Sequence, residues 1–234
     1  MTPGLAVVVA CTAAVGAVGG RFAPRVVGWL PESDDPEDAE GRMSYADLSR
    51  VPGLGRWSAV ASAAVCGVLG WRLGWSPALP MWVYLGMVGV VLAYVDWRTR
   101  LLPTRLVAPS YLIVGVLAAL ATLLDGDWQT LVRGGLGFLI TGGLFFLLWF
   151  IYPPGMGYGD VRLSGVLGIG LGWLGWAELI VGIYAGFLLG ALVGGLLVLL
   201  KVVDRRRYPY GPFMLIGALV GVLTGPFFAG WYAG

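Results

Sequence analysis

Residues 176–200 read "WAELIVGIYAGFLLGALVGGLLVLL", and Glu178 is the only charged residue among them. An apolar run of this length can cross the hydrocarbon core of a bilayer as a helix. Similar apolar windows recur along the whole chain, whereas the short alternating segments of a transmembrane β-barrel do not occur. The sequence therefore predicts an all-α, polytopic membrane protein.

The composition supports a membrane protein and gives no indication of a nucleic-acid partner. The chain has 234 residues, of which 58% are hydrophobic and 12% charged, and its mean hydropathy is +0.83. Soluble domains carry about 25% charged residues. The net charge of +2 is too small to indicate nucleic-acid binding. The expected surroundings of most of the chain are lipid.

The apolar windows predict about eight transmembrane helices in a single membrane domain, residues 1–234. The first window is expected to be a retained span, because no basic region precedes it as in a signal peptide. One polar insertion, residues 21–56, is expected to be a cytosolic loop, and its acidic stretch Glu32 to Glu40 is expected to be solvated. The predicted spans are 4–20, 57–73, 79–95, 106–124, 129–152, 160–173 (short), 176–200 and 211–232.

Basic residues concentrate in alternate loops between these spans, with Arg72 and Arg133 as exceptions. By the positive-inside rule, loops 1, 3, 5 and 7 face the cytoplasm and both termini face outward. The basic residues in these loops are Arg21, Arg25, Arg42, Arg50, Arg56, Arg98, Arg100, Arg105, Arg162, Lys201, Arg205, Arg206 and Arg207.

Glycines repeat at intervals of four in the last two spans. Gly182, Gly186, Gly190 and Gly194 form one stripe, and a second begins at Gly217 and continues through Gly221 and Gly225. Such stripes let helix backbones approach closely in a membrane, so we expect them to be packing surfaces.

The missing residue types exclude several enzyme classes. The chain contains no histidine, which removes His-dependent triads and HExxH metalloproteases. Cys11 and Cys66 stand alone in apolar segments and are interpreted as packing residues. Without a CxxC pair, no metal site is expected.

Two carboxylates stand out because charge at the edge of a membrane span is costly. Asp96 ends the third predicted span, and Asp160 begins the sixth in "GMGYGDVRL", residues 155–163. The topology places both at the cytoplasmic boundary. Two carboxylates at one depth can hold a water and hydrolyse an amide, one as base and the other as acid. Gly157 and Gly159 would let a substrate strand approach the backbone.

Both aspartates can also be interpreted without peptide hydrolysis. Asp96 can pair with Arg98 or Arg100, and Asp160 can cap the helix that it begins. The chain can also be a proton- or cation-coupled transporter, or a scaffold, that uses the same aspartates. A lone GxGD pattern in a glycine-rich chain does not distinguish these alternatives.

Three ordered segments together resemble the bacterial type IV prepilin peptidase family, which are membrane aspartic peptidases of the GxGD type. "DWRTRLLPTRL", residues 96–106, is similar to the family's first aspartate motif and contains Pro103. "GMGYGDVRLSGVLGIGLGW", residues 155–173, is similar to the second, with Tyr158 and Arg162 where the family usually has glycine and often lysine. "YPYGPFMLIGAL", residues 208–219, is similar to a late segment and contains Gly211 and Pro212.

The resemblance implies a peptidase core over residues 78–220 with Asp96 and Asp160 as the catalytic pair. It implies cleavage of the basic leader from type IV prepilin or pseudopilin precursors, at the cytoplasmic face of the inner membrane, without a cofactor. A preflagellin peptidase or a signal-peptide-cleaving GxGD protease is a rival within the same chemistry. A retired peptidase kept as an assembly factor is a further alternative.

The N-terminal loop departs from the family pattern. Many members carry two CxxC pairs that bind zinc there, and are credited with methylating the new amino terminus with S-adenosylmethionine. Residues 31–56 contain no cysteine. A zinc site is therefore not expected in this loop, and S-adenosylmethionine is a cofactor only if methyl transfer is retained.

Overall fold

The computed structural model describes residues 3–32, 43–153, 156–200 and 209–233, and these are mostly helical with no β-strand among them. The chain divides into two compact units, Met1–Thr99 and Arg100–Gly234. Most of the acidic stretch Glu32 to Glu40 lies outside the described residues. The predicted single domain and the 78–220 core remain predictions.

The first unit contains two pairs of packed helices that share a long helix. The helices α1 and α4 pack along each other, α4 also packs on α5, and the short helices α2 and α3 contact each other. The carboxylate of Glu32 accepts hydrogen bonds from the backbone N–H of Tyr45 at 2.7 Å and of Ala46 at 3.3 Å, at the start of α3. The helices are α1 (Pro3–Arg21), α2 (Ala23–Gly28), α3 (Tyr45–Ser49), α4 (Leu54–Leu73) and α5 (Leu79–Thr99).

Glycines bring α1 and α4 into direct backbone contact. A Cβ atom added at Gly16 would overlap the carbonyl oxygen of Ser62, and one added at Gly20 would overlap that of Ser58. Small residues permit this approach, and dispersion between the two backbones then stabilises the pair.

The second unit is built around one central helix. The helix α8 packs on α6, α7, α9 and α11, and most of its side chains are buried. The helices are α6 (Thr104–Asp125), α7 (Trp128–Ile151), α8 (Tyr158–Leu174), α9 (Trp176–Leu189), which continues through a π turn (Gly190–Gly194) into α10 (Gly195–Leu199), and α11 (Gly211–Ala233).

The predicted glycine stripes of α9 and α11 face each other, which confirms their packing role. A Cβ atom at Gly217 would lie 2.6 Å from the Cα atom of Gly186, and one at Gly221 would lie 2.8 Å from the Cα atom of Gly182. Both distances are too short for carbon atoms that are not bonded, so each pair of backbones meets only because glycine is present.

The chain is an all-α polytopic membrane protein. Six of its helical segments are long and apolar enough to cross a membrane. The helices α4 and α8 are not among these six, and α8 has only 17 residues. The count of eight transmembrane helices therefore stays a prediction. The six segments are Pro3–Gly28, Leu79–Thr99, Thr104–Asp125, Trp128–Ile151, Trp176–Gly194 and Gly211–Gly230.

Exposed tryptophans lie near the ends of several long helices. In α4, Trp57 near the start is 75% exposed and Trp71 near the end is 57% exposed. Trp128 and Trp176 begin α7 and α9 and are also exposed. Tryptophan is typical of the two membrane–water interfaces, so this placement supports a membrane environment for α4 as well.

Arg133, an exception to the charge pattern, caps the end of α8. Its Nε donates to the carbonyl oxygen of Gly172 at 3.0 Å, and its guanidinium also donates to that of Trp173 at 3.0 Å. Beside it, the Trp173 indole N–H donates to the Thr122 hydroxyl at 2.9 Å. The arginine thus satisfies carbonyls at a helix C-terminus and complements its negative dipole.

Replacing this cap should destabilise the second unit. We expect Arg133→Gln to lower the free energy of unfolding by about 1–2 kcal/mol, because carbonyls at the α8 C-terminus lose a charged donor. Thermal unfolding in detergent measures the effect. Arg56→Gln is the matched control, since Arg56 is exposed near the start of α4. Equal unfolding temperatures for the two variants would refute the capping role.

Candidate active site

Asp96 lies in the last turn of α5 and is only 4% exposed. The helix ends at Thr99, and the chain turns at Arg100, whose φ of 57° lies in the left-handed region. Residues other than glycine rarely adopt this conformation, so the first motif contains an unusual backbone turn directly after α5. The chain then reaches Pro103, which is the N-cap of α6.

Asp160 is buried in the first turn of α8 and is 8% exposed. Its backbone N–H donates to the carbonyl of Gly157 at 3.0 Å, and Gly157 is the N-cap of the helix. The carboxylate lies close to this glycine, because a Cβ atom there would be 3.2 Å from the Asp160 Oδ2 atom. The positive end of the helix dipole favours an anion at this position.

The two aspartates belong to different units. Asp96 is in Met1–Thr99, whereas Asp160 is in Arg100–Gly234 together with Pro103 and the late motif. Each carboxylate is buried at a helix end, which is costly for a charged group and typical of a functional one. Their pairing across the chain remains a prediction.

Within the second unit, the end of the first motif packs on the second motif. A Cβ atom at Gly159 would lie 2.8 Å from the Cβ atom of Leu102, and 3.5 Å from its backbone nitrogen. Leu102 therefore occupies the space beside Gly159. This contact gives a packing reason for the glycine next to Asp160.

Arg162 makes a second connection between the same segments. Its guanidinium donates to the hydroxyl of Thr104 and lies 5.2 Å from the centre of the Tyr158 ring. Its backbone carbonyl accepts a hydrogen bond from the Tyr111 hydroxyl of α6. A planar guanidinium can make the hydrogen bond and cover the ring at once, so arginine suits this position.

Leu102, Thr104 and Tyr111 were not singled out from the sequence. Each acts through a partner more than 50 positions away in the chain, as Tyr111 does with Arg162. A single sequence carries no periodic signal for such pairs. Gly157 and Gly159 were expected to let a substrate strand approach the backbone, but the group beside Gly159 is Leu102 of the same chain.

The late motif forms the start of α11. Gly211 and Pro212 are the first residues of this helix, and the backbone N–H of Phe213 donates to the Tyr210 carbonyl at 3.1 Å. The Tyr210 ring packs on Gly190 of the π turn, where a Cβ atom would lie 2.6 Å from its Cε2 atom. The motif thus fixes the junction between the π turn and α11.

The described part of the chain holds no group of three or more His, Cys, Asp or Glu side chains that could bind a metal ion.

Several named proteins are similar in sequence to this chain. A prepilin leader peptidase/N-methyltransferase of Aeromonas hydrophila is 30% identical over 189 residues, which cover 79% of this chain and 61% of that protein. A protein with the same name from Aeromonas salmonicida is 30% identical, and the match covers 63% of this chain and 50% of that protein. Another, from Pseudomonas aeruginosa, is 29% identical, and the match covers 71% of this chain and 57% of that protein. The chain thus spans roughly half to three fifths of the length of these relatives.

No solved structure matches the chain. A family model does match, over residues 82–199, and it describes the type IV leader peptidase family. The match covers half of the chain and includes both Asp96 and Asp160. The chain therefore belongs to the type IV leader peptidase family.

Proposed function

We propose that the chain is an aspartic endopeptidase that removes the basic leader from type IV prepilin-like precursors, with Asp96 and Asp160 as its catalytic pair. Membership of the family supports the reaction class. The names of the relatives, prepilin leader peptidase/N-methyltransferase, support the substrate class.

The observation that carries the catalytic assignment is the contact between the two motifs. Leu102 of the first motif packs against Gly159, which directly precedes Asp160. Only five residues of chain lie between Asp96 and Leu102. So short a connection favours a meeting of the two buried carboxylates, and no other described carboxylate combines burial with a motif position.

The chemistry follows from two carboxylates that share one proton. Two such groups close together cannot both ionise, so one stays protonated. The ionised aspartate accepts a proton from a water, which attacks the scissile carbonyl carbon. The protonated aspartate hydrogen bonds to the carbonyl oxygen and later passes its proton to the leaving amine. The products are a leader carboxylate and a new amino terminus, and no cofactor takes part.

The charge distribution supports cleavage at the cytoplasmic face of the inner membrane. Arg98, Arg100 and Arg105 lie within the first motif, and Arg162 follows Asp160 by two positions. Arginines at the ends of membrane spans favour the cytoplasmic side. A precursor with a basic leader and an apolar helix would present its junction at this level, with the helix still in the bilayer.

Methyl transfer is a separate activity from peptide hydrolysis and is not assigned to this chain. The relatives are named for both activities, but residues 31–56 contain no cysteine, and residues 33–42 lie outside the described part of the chain. No described residue is assigned to S-adenosylmethionine. Mass spectrometry of the mature N-terminus would report the cut site and any methyl group together.

Removing either carboxylate should abolish processing. We expect Asp96→Asn and Asp160→Asn each to lower the rate of leader cleavage by about 10²–10⁴-fold, because the base or the acid is lost. The double variant should be no slower than the single ones, since the pair acts as a unit. Co-expression with a prepilin, followed by mass spectrometry, measures the remaining precursor.

The matched control is Asp125→Asn, which changes an exposed aspartate at the end of α6. It should process precursor at the wild-type rate. Normal processing in both Asp96→Asn and Asp160→Asn would instead favour the transporter or scaffold alternative.

Crowding the glycine before Asp160 should also impair cleavage. In Gly159→Ala the new methyl group would meet Leu102, so α8 or residues 101–103 must shift. A displacement of this kind near the reacting groups should lower kcat by about 10–100-fold. In Gly143→Ala, the control on α7, the added Cβ atom meets nothing within 4 Å. If Gly159→Ala cleaves as fast as Gly143→Ala, the Leu102 contact has no role in placing Asp160.

A further inference from the structure

Three helices of the first unit meet at Gly55, a buried glycine in the first turn of α4. A Cβ atom added there would lie 3.2 Å from the carbonyl oxygen of Arg21, the last residue of α1, and 3.4 Å from the Cγ atom of Pro24 in α2. It would also lie 3.5 Å from the Nη1 atom of Arg21. The Arg21 guanidinium therefore lies beside the start of α4, close to its junction with α2.

Arg25 follows Arg21 by four positions, and both residues are exposed. The backbone N–H of Val26 donates to the Phe22 carbonyl at 3.1 Å, so the chain keeps a nearly helical course from α1 into α2. Residues four positions apart on such a backbone are neighbours, with Cβ atoms about 6 Å apart. The Arg25 guanidinium lies 5.2 Å from the centre of the Phe22 ring, so it is directed back toward α1. We call Arg21 and Arg25 the arginine pair.

Among the residues that the structure describes, no carboxylate forms an ion pair with either arginine. The nearest carboxylates along the chain have other partners. Glu32 accepts hydrogen bonds from the backbone at the start of α3, and Asp47 accepts one from the Ser44 hydroxyl at 2.8 Å. Like charges four positions apart on a helix are destabilising, and each guanidinium has five N–H donors. An anion bound between the two arginines would relieve this repulsion and use these donors.

An exposed tryptophan places the arginine pair at the edge of the membrane. Gly20 of α1 lies directly against Ser58 of α4, so the next residues, Arg21 and Trp57, lie at the same level of the helix pair. Trp57 is 75% exposed. Exposed tryptophan is typical of the membrane–water interface, where the lipid headgroups lie. The anions available at this level are therefore lipid phosphates.

We propose that the arginine pair binds the phosphate of an anionic phospholipid at the junction of α1, α2 and α4. The guanidinium groups donate to the phosphate oxygens, because their planar fork matches phosphate geometry. The Trp57 ring contacts the glycerol and the first acyl carbons. A lipid that binds only the folded chain stabilises the first unit. The site does not depend on the proposed peptidase reaction.

Native mass spectrometry of the full chain in a neutral detergent tests this site. The delipidated protein is titrated separately with dioleoyl-phosphatidylglycerol and with dioleoyl-phosphatidylcholine, and the Kd of the first bound lipid is measured for each. Both lipids have the same acyl chains and a phosphate, but only phosphatidylglycerol has a net negative charge. We expect the wild-type chain to bind phosphatidylglycerol about 30-fold more tightly, because two arginines contribute. Arg21→Gln and Arg25→Gln should each lower this ratio by about fivefold.

The matched control is Arg72→Gln, which removes one charge beside an exposed tryptophan, Trp71, at the other end of α4. It should keep the wild-type ratio of the two Kd values. This ratio compares two lipids on one protein, so a lower yield of folded protein does not change it.

Three results would overturn the lipid site. The first is a wild-type chain that binds both lipids equally well. The second is an equal loss of preference in Arg72→Gln and in the variants of the arginine pair. The third is displacement of bound phosphatidylglycerol by inorganic phosphate at the same concentration, which would show a site for a free anion. Precursor cleavage is not measured in this experiment, so its outcome is separate from that of the proposed function.

Discussion

Direct contact between helix backbones at glycine is the constraint on which both units depend. In the first unit, Gly16 and Gly20 of α1 meet the carbonyl groups of α4. In the second, Gly137 of α7 lies against Gly172 of α8, where an added Cβ atom would be 3.0 Å from a Cα atom. Lipid is as apolar as leucine, so burial of apolar area does not hold these helices together. Close packing does, and any side chain at these positions would separate the helices.

Close packing at a glycine also determines the geometry of the candidate site. Gly159 is bare because Leu102 occupies the place of its side chain, and this contact ties the first motif to the helix that carries Asp160. Arg162 strengthens the connection through Thr104. A helix start that is fixed in this way holds the buried Asp160 carboxylate in one place, as the proposed catalysis by Asp96 and Asp160 would require. Glycine thus serves packing and positioning at once.

The features of the fold that the sequence predicted are those with a repeating pattern along the chain. Apolar windows located the long helices, and glycines at intervals of four located the contact between α9 and α11. The motif residues Asp96 and Asp160 stood out because carboxylates are rare at span edges. The sequence did not reveal the cap that Arg133 forms on α8. The π turn at Gly190–Gly194 was also missed, since a local change of helical pitch leaves the apolar pattern intact.

The proximity of Asp96 and Asp160 can be measured without enzymatic activity. Asp96→Cys and Asp160→Cys would be combined in a chain whose natural cysteines, Cys11 and Cys66, are replaced by alanine. A short bifunctional thiol reagent is then applied to the protein in membranes, and the tryptic peptides are identified by mass spectrometry. Thr104→Cys with Arg162→Cys is the reference pair, because these side chains are in contact. We expect an intramolecular cross-link in both pairs; a cross-link in the reference pair alone would show that the two aspartates do not form one catalytic site.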